Sequence, residues 1–178
     1  DSDEKVKRVL EELRKEVKEH VERLRARAED MSREVKDHVR KLKEDLERME
    51  RDVERVKRKP TDEKTLKEIA DRLRKILEDL ERETEETKKR LEEKLRKLHK
   101  ETEESKKRLE DKVDTIRKEK GASEEVLERV RTEVERLKRE LDKVNEDIRK
   151  RVEELKKELD EVDDEIRKEV DRLEEALK

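Results

Sequence analysis

Eight side chains carry the chemistry this sequence has to offer: His20, His38, Thr84, Thr87, Thr102, Ser105, Asn145 and Asp163. They fall into four pairs, His20/His38, Thr84/Thr102, Thr87/Ser105 and Asn145/Asp163, and the members of every pair are eighteen residues apart. A neutral imidazole has one donor and one acceptor, so it can join two hydroxyls. His38, Thr84 or Thr87, and Asp163 have the functional groups of a catalytic triad. Nothing nearby supplies an oxyanion hole, a glycine-rich turn or a substrate cavity, so no enzyme is read here. Metal binding is excluded on spacing. No histidine pair has the HExxH pattern, and His20 and His38 on one helix would be about 27 Å apart. The third histidine, His99, has Glu81 and Arg117 as its mates eighteen residues away, which marks a solvated position.

The elements that must position these groups follow the same ruler. Residues 66–119 can be written as three lines of eighteen, with Leu73/Leu91/Leu109, Leu77/Leu95/Val113 and Leu80/Leu98/Ile116 in shared slots. Two further slots read Leu66/Thr84/Thr102 and Ile69/Thr87/Ser105, so the hydroxyls replace apolar residues. From Val17 to Val53 the apolar residues step by threes and fours, five steps per eighteen residues, which is the 3.6 period of an α-helix. The third segment repeats as Val130/Ile148/Ile166, Val134/Val152/Val170 and Leu137/Leu155/Leu173. Pro60 must interrupt a helix. Ser2 or Asp3, Thr61 and Ser123 are expected N-caps, and Gly121 suits a left-handed turn. Three helices are therefore predicted, at about 3–58, 62–119 and 123–177, within a single domain spanning 1–178.

Two short connections force consecutive helices antiparallel. A heptad period imposes a supercoil, whereas 3.6 matches a straight helix. The expected fold is all-α: a long, nearly untwisted antiparallel (up-down-up) three-helix bundle. In a hairpin turning near residue 60, His20 lies level with Thr102 and Ser105, and His38 with Thr84 and Thr87. Val56 lies level with Leu66 and Ile69. Helix 3 runs parallel to helix 1, which brings Asn145 within about a turn of His20 and Asp163 within about a turn of His38. Two polar layers are expected: His20 with Thr102, Ser105 and Asn145, and His38 with Thr84, Thr87 and Asp163. Exposed faces carry Glu85–Lys89, Glu86–Arg90, Glu103–Lys107 and Glu104–Arg108 at i,i+4, each adding a few tenths of a kcal/mol.

Composition narrows the function classes. The 178 residues are 63% charged, with 55 basic against 58 acidic side chains, no aromatic residue and no cysteine. That balance lacks the basic footprint of a nucleic-acid binder, and without aromatics there is no stacking platform. No apolar run approaches a membrane span or signal-peptide core. The eighteen-residue repeat, the equal helices, the minimal turns Lys59-Pro60-Thr61-Asp62 and Gly121-Ala122-Ser123, and the Glu/Lys/Arg/Asp surface together resemble de novo designed, parametrically generated helical bundles. A weaker resemblance, carried by Glu22-Arg23-Leu24-Arg25-Ala26-Arg27, is to exchangeable apolipoproteins; their proline-punctuated 11- and 22-residue repeats are absent. The first resemblance implies a structural scaffold without natural activity, whose polar layers specify helix register. It also admits a pH-responsive bundle destabilised when His20 and His38 protonate, with membrane activity of the released amphipathic helices. The second implies lipid binding. No cofactor and no obligatory partner is expected. Three apolar stripes can close within one chain, so a soluble monomer without a targeting signal is expected, off the membrane at neutral pH.

Overall fold

The computed structural model describes residues 2–119 and 121–178, apart from the side chains of Ser2 and Asp3. The expected Ser2 or Asp3 cap therefore lies outside the described residues. The fold is all-α, a three-helix bundle: α1 is Ser2–Lys57, α2 is Glu63–Lys118 and α3 is Glu124–Ala176. Charge at the helix ends follows the helix dipole, with Arg55 and Lys57 closing α1, Arg117 and Lys118 closing α2, and Glu124 and Glu125 opening α3.

The two connections show what stops and restarts the helices. After α1, the Asp62 carboxylate accepts the Thr65 amide at 2.9 Å, so Asp62, and not Thr61, is the N-cap of α2. The Thr61 hydroxyl turns back instead and donates to the Lys59 carbonyl at 2.9 Å and the Val56 carbonyl at 3.3 Å. Proline at position 60 removes an amide, and the hydroxyl takes up carbonyls left open at the end of α1. Ser123 caps α3 by accepting the Val126 amide at 3.2 Å. Gly121 has φ +92°, a region in which a side chain is strained.

The chain divides into two compact units, Asp1–Asp30 with Glu93–Arg151 and Met31–Glu92 with Val152–Lys178. All three helices contribute to each. In the first unit, Arg108–Glu16 joins α2 to α1, Lys106–Asp142 joins α2 to α3 at 2.8 Å, and Arg14–Glu133 joins α1 to α3 at 2.8 Å. Its core includes Leu13, Leu24, Leu98, Leu109, Leu137 and Leu141, each essentially inaccessible to solvent. In the second unit, Arg90–Glu34 joins α2 to α1 at 2.9 Å and Lys88–Asp160 joins α2 to α3 at 2.8 Å. Leu42, Met49, Leu91, Leu155 and Leu159 fill its core. Burying each such side chain contributes about 1.5–3 kcal/mol before chain entropy opposes it. Within the second unit, pairings such as Arg90–Glu34 and Lys41–Glu83 show α2 descending as α1 ascends. Near its turn, Val56, Leu66 and Ile69 are only half-buried.

The ion pairs keep the eighteen-residue spacing. Lys88–Asp160 recurs as Lys106–Asp142, Lys156–Glu92 as Lys138–Glu110, and Arg90–Glu34 as Arg108–Glu16. These are rim interactions, individually worth at most about 1 kcal/mol. The expected i,i+4 pairs are replaced: Glu85 and Glu103 meet Lys88 and Lys106 at i,i+3, and Arg90 and Arg108 reach across to α1.

Candidate functional site: two hydrogen-bonded chains

Each unit contains one chain of three polar side chains, one from each helix. In the first unit, His20 Nε2 lies 3.2 Å from Thr102 Oγ1, and that hydroxyl donates to Asn145 Oδ1 at 3.2 Å. In the second, His38 Nε2 lies 2.9 Å from Thr84 Oγ1, which donates to Asp163 Oδ1 at 2.9 Å. The shorter spacing accompanies a carboxylate acceptor, as charge-assisted bonds should. Thr84 and Thr102 are 0% exposed and His20 is 3% exposed, while His38, Asn145 and Asp163 are half-buried.

A hydroxyl has a single proton. Because Thr102 gives its proton to the Asn145 oxygen, it must accept from His20, which makes His20 the Nε2–H tautomer. Thr84 gives its proton to an ionised Asp163, so the same holds for His38. All three groups are thereby satisfied, and among the described residues no buried side-chain polar atom lacks a partner. In apolar surroundings that matters, since an unpaired buried group costs about 1–3 kcal/mol.

Two of the eight expected residues stay outside the chains. Thr87 is buried, but its hydroxyl donates to the Glu83 carbonyl one turn back at 2.9 Å and accepts from Arg90 at 3.1 Å. Helical threonines readily bond to their own carbonyls, and here that removes Thr87 from His38. Ser105 is buried one turn from Thr102, and the His20 ring bonds to Thr102 instead. His99 is exposed.

Two features carried no sequence signal strong enough to single them out. Ser32 is buried although its mates eighteen residues away are the charged Arg14 and Glu50; a small hydroxyl in a charged slot was the available clue. Glu133 has a side chain 12% exposed and accepts from Arg14 of α1 at 2.8 Å and Arg136 of α3 at 2.5 Å. The Arg136 and Arg14 hydrogen bonds hold its carboxyl down at about 2. One glutamate among so many is invisible in the sequence.

Electrostatics separates the chains. The His20 pKa is lowered, first by burial and then by Arg23, with Arg108 and Arg27 adding to the effect and Glu101 opposing it. The His38 pKa is lowered by burial, while Glu83 and Glu34 oppose Lys41 and Arg90. Burial raises Asp163 to about 6; the Thr84 hydrogen bond counters this, and Glu81, Asp160 and Glu85 reinforce it.

The order within the second chain is not that of a catalytic triad. Thr84 sits between His38 and Asp163 and gives its proton to the acid, so the imidazole does not activate it. It is also sealed from any substrate. Among the described residues no group of three or more metal-ligating side chains forms, and no helix is long and apolar enough to cross a membrane.

No protein-family model matches the chain, and no curated protein matches it in sequence. One solved structure it resembles is described as "Computationally designed three helix bundle", at 18% identity and a TM-score of 0.44, covering 99% of this chain and 76% of that one.

Proposed function

We propose that the chain is a designed structural scaffold in which the two polar chains specify which helix faces pair, and in what register. The observation that carries this is the one-from-each-helix composition of His20–Thr102–Asn145 and His38–Thr84–Asp163. Apolar contacts tolerate a slip of one repeat, because Leu meets Leu again eighteen residues on. The polar residues do not, because a slip of one repeat can re-pair one histidine with the other chain's threonine but strands the buried donors and acceptors of the remaining chain. A designed origin is supported by the repeat in the sequence, the minimal turns and the recurrence of ion pairs at the same spacing.

Residues 1–178 are read as one domain and the chain as a monomer, to be checked by coincident unfolding transitions and by sedimentation. The register role is tested by replacing His20, His38, Thr84, Thr102, Asn145 and Asp163 together with Leu or Val. The expected variant is more stable than the parent and populates additional helix pairings, seen as extra backbone amide resonances or self-association. A single parent-like packing would refute the role.

The lowered histidine pKa values favour a second reading, an acid-sensitive bundle. A depressed folded pKa gives stability that is fully present above the unfolded value near 6.5 and is lost as pH falls toward the folded value. Equal denaturation midpoints at pH 7.4 and pH 5 in D163N, which lacks the opposing titration of Asp163, would dispose of it. Lipid binding by released helices remains a proposal of the same kind, tested by liposome leakage at pH 5.

A further inference from the structure

The two chains are alike in shape and differ in one atom: Asn145 ends the first in an amide, and Asp163 ends the second in a carboxyl group. An amide oxygen can only accept from the threonine hydroxyl. A carboxyl group accepts when ionised and donates when protonated, whereas Asn145 donates only by turning its NH2 inward, so the second chain alone couples reversal of its hydrogen bonds to uptake of a proton.

We propose that His38–Thr84–Asp163 is a proton-uptake site, in which one proton taken from solvent comes to rest on Asp163 while the hydrogen-bond direction through the Thr84 hydroxyl reverses. Before uptake, His38 Nε2–H donates to Thr84 Oγ1, and Thr84 donates to the Asp163 carboxylate. A proton adds to His38 Nδ1. The Nε2 proton passes to the Thr84 oxygen as the original Thr84 hydroxyl proton passes to Asp163 Oδ1. Two N–H or O–H bonds break and three form, counting the added proton, and no electron pair leaves the chain. Afterwards Asp163 O–H donates to Thr84, Thr84 donates to His38 Nε2, and His38 carries its proton on Nδ1. Both ends keep partial solvent contact and Thr84 has none, so the hydroxyl is the only link between them in the chain.

The alternative form at the same total charge is an imidazolium facing a carboxylate across Thr84. It places two charges in a partly buried site where the relay product has none, and desolvation disfavours it. The surroundings agree. From α1, Glu34 and Lys41 face His38; from α2, Glu83 and Arg90 do. These four pair as Arg90–Glu34 and Lys41–Glu83, leaving little net field at the ring. Asp163 faces Glu81 and Glu85 of α2 and Asp160 of α3, three acids that favour its neutral form. Lys88 bridges Asp160 and Glu85, and Arg167 binds Glu81, so that field is only partly relieved. The rise of Asp163 to about 6 and the lowering of His38 point the same way.

The inference rests on the polar chains of the proposed function, but not on their register role. That role is read from helix pairing in the six-fold variant; this one is read in the parent protein. Imidazole nitrogen and carboxyl carbon resonances are followed from pH 8 to pH 4. The expected result is that Asp163 protonates near pH 6 while His38 changes from the Nε2–H to the Nδ1–H tautomer without becoming an imidazolium in that step. His20, facing Asn145, should keep Nε2–H until it becomes an imidazolium. D163N should make His38 behave as His20 does. An imidazolium at His38 beside an ionised Asp163 would overturn the proposal. So would protonation of Asp163 with no change of tautomer at His38.

Discussion

Replacing Thr102 by Val removes one oxygen and changes little in shape. The consequences are uneven. His20 is 3% exposed and loses the acceptor of its Nε2–H, whereas half-buried Asn145 can turn its amide toward water. The cost is therefore dominated by one stranded donor, about 1–3 kcal/mol. H20L alone leaves Thr102 still donating to Asn145 and exchanges imidazole for aliphatic surface, so its cost should be smaller. Combining H20L with T102V removes both donor and acceptor and should restore most of the stability lost in T102V. The cycle should give a coupling of about 0.5–3 kcal/mol between the two positions. Guanidinium denaturation at pH 7.4, with helicity as the probe, measures all four proteins. A T102V variant as stable as the parent, or strictly additive effects, would refute the claim that the His20–Thr102 bond is a buried and satisfied interaction.

The other expectations concern separate parts of the molecule. Acidification from pH 7 to 5 should destabilise the protein through His20 and His38, by no more than about 1.4 kcal/mol per pH unit for each proton taken up. Asp163 opposes this: its raised pKa gives stability that is present below the unfolded value of 3.8 and is lost as pH rises through about 6, so D163N should steepen the acid loss. E133Q should lower stability at neutral pH by up to about 1 kcal/mol, and the gap should close as pH falls from 4.5 through about 2, since a depressed carboxylate stabilises only while ionised. L91A, at a side chain with 0% exposure, should cost about 2–5 kcal/mol by denaturant midpoint. D62A should lower helicity at the start of α2 through loss of the bond to the Thr65 amide, read by amide hydrogen exchange, with T61A not reproducing that loss.

Most of the architecture could be read from residue spacing, because a charged chain with apolar residues every three or four positions has one way to bury them. Pro60, Gly121 and Ser123 punctuate that pattern through backbone chemistry that depends little on tertiary context. The cap of α2 was harder. Thr61 and Asp62 are both good caps, and which one serves depends on where Pro60 leaves the chain. The polar chains were partly legible for a similar reason. Spacing brings His20 near Thr102 and Ser105, and His38 near Thr84 and Thr87, but the two hydroxyls in each set are one turn apart on the same face. Choosing between them requires the rotation of α2 about its axis and the threonine rotamer. Thr87 illustrates the point, since its hydroxyl finds its own helix carbonyl and an arginine. Glu133 was hidden for a different reason: its depressed pKa comes from arginines on two helices, a coincidence in space with no counterpart in spacing.

Each histidine is tied into a chain with a defined direction. Nitrogen spectroscopy of the His20 ring at pH 7.4 tests it most directly. The structure requires a neutral Nε2–H tautomer whose proton exchanges slowly with water and shows cross-relaxation to the Thr102 methyl group. A ring that averages its two tautomers, with an Nε2 proton in fast exchange, would contradict it.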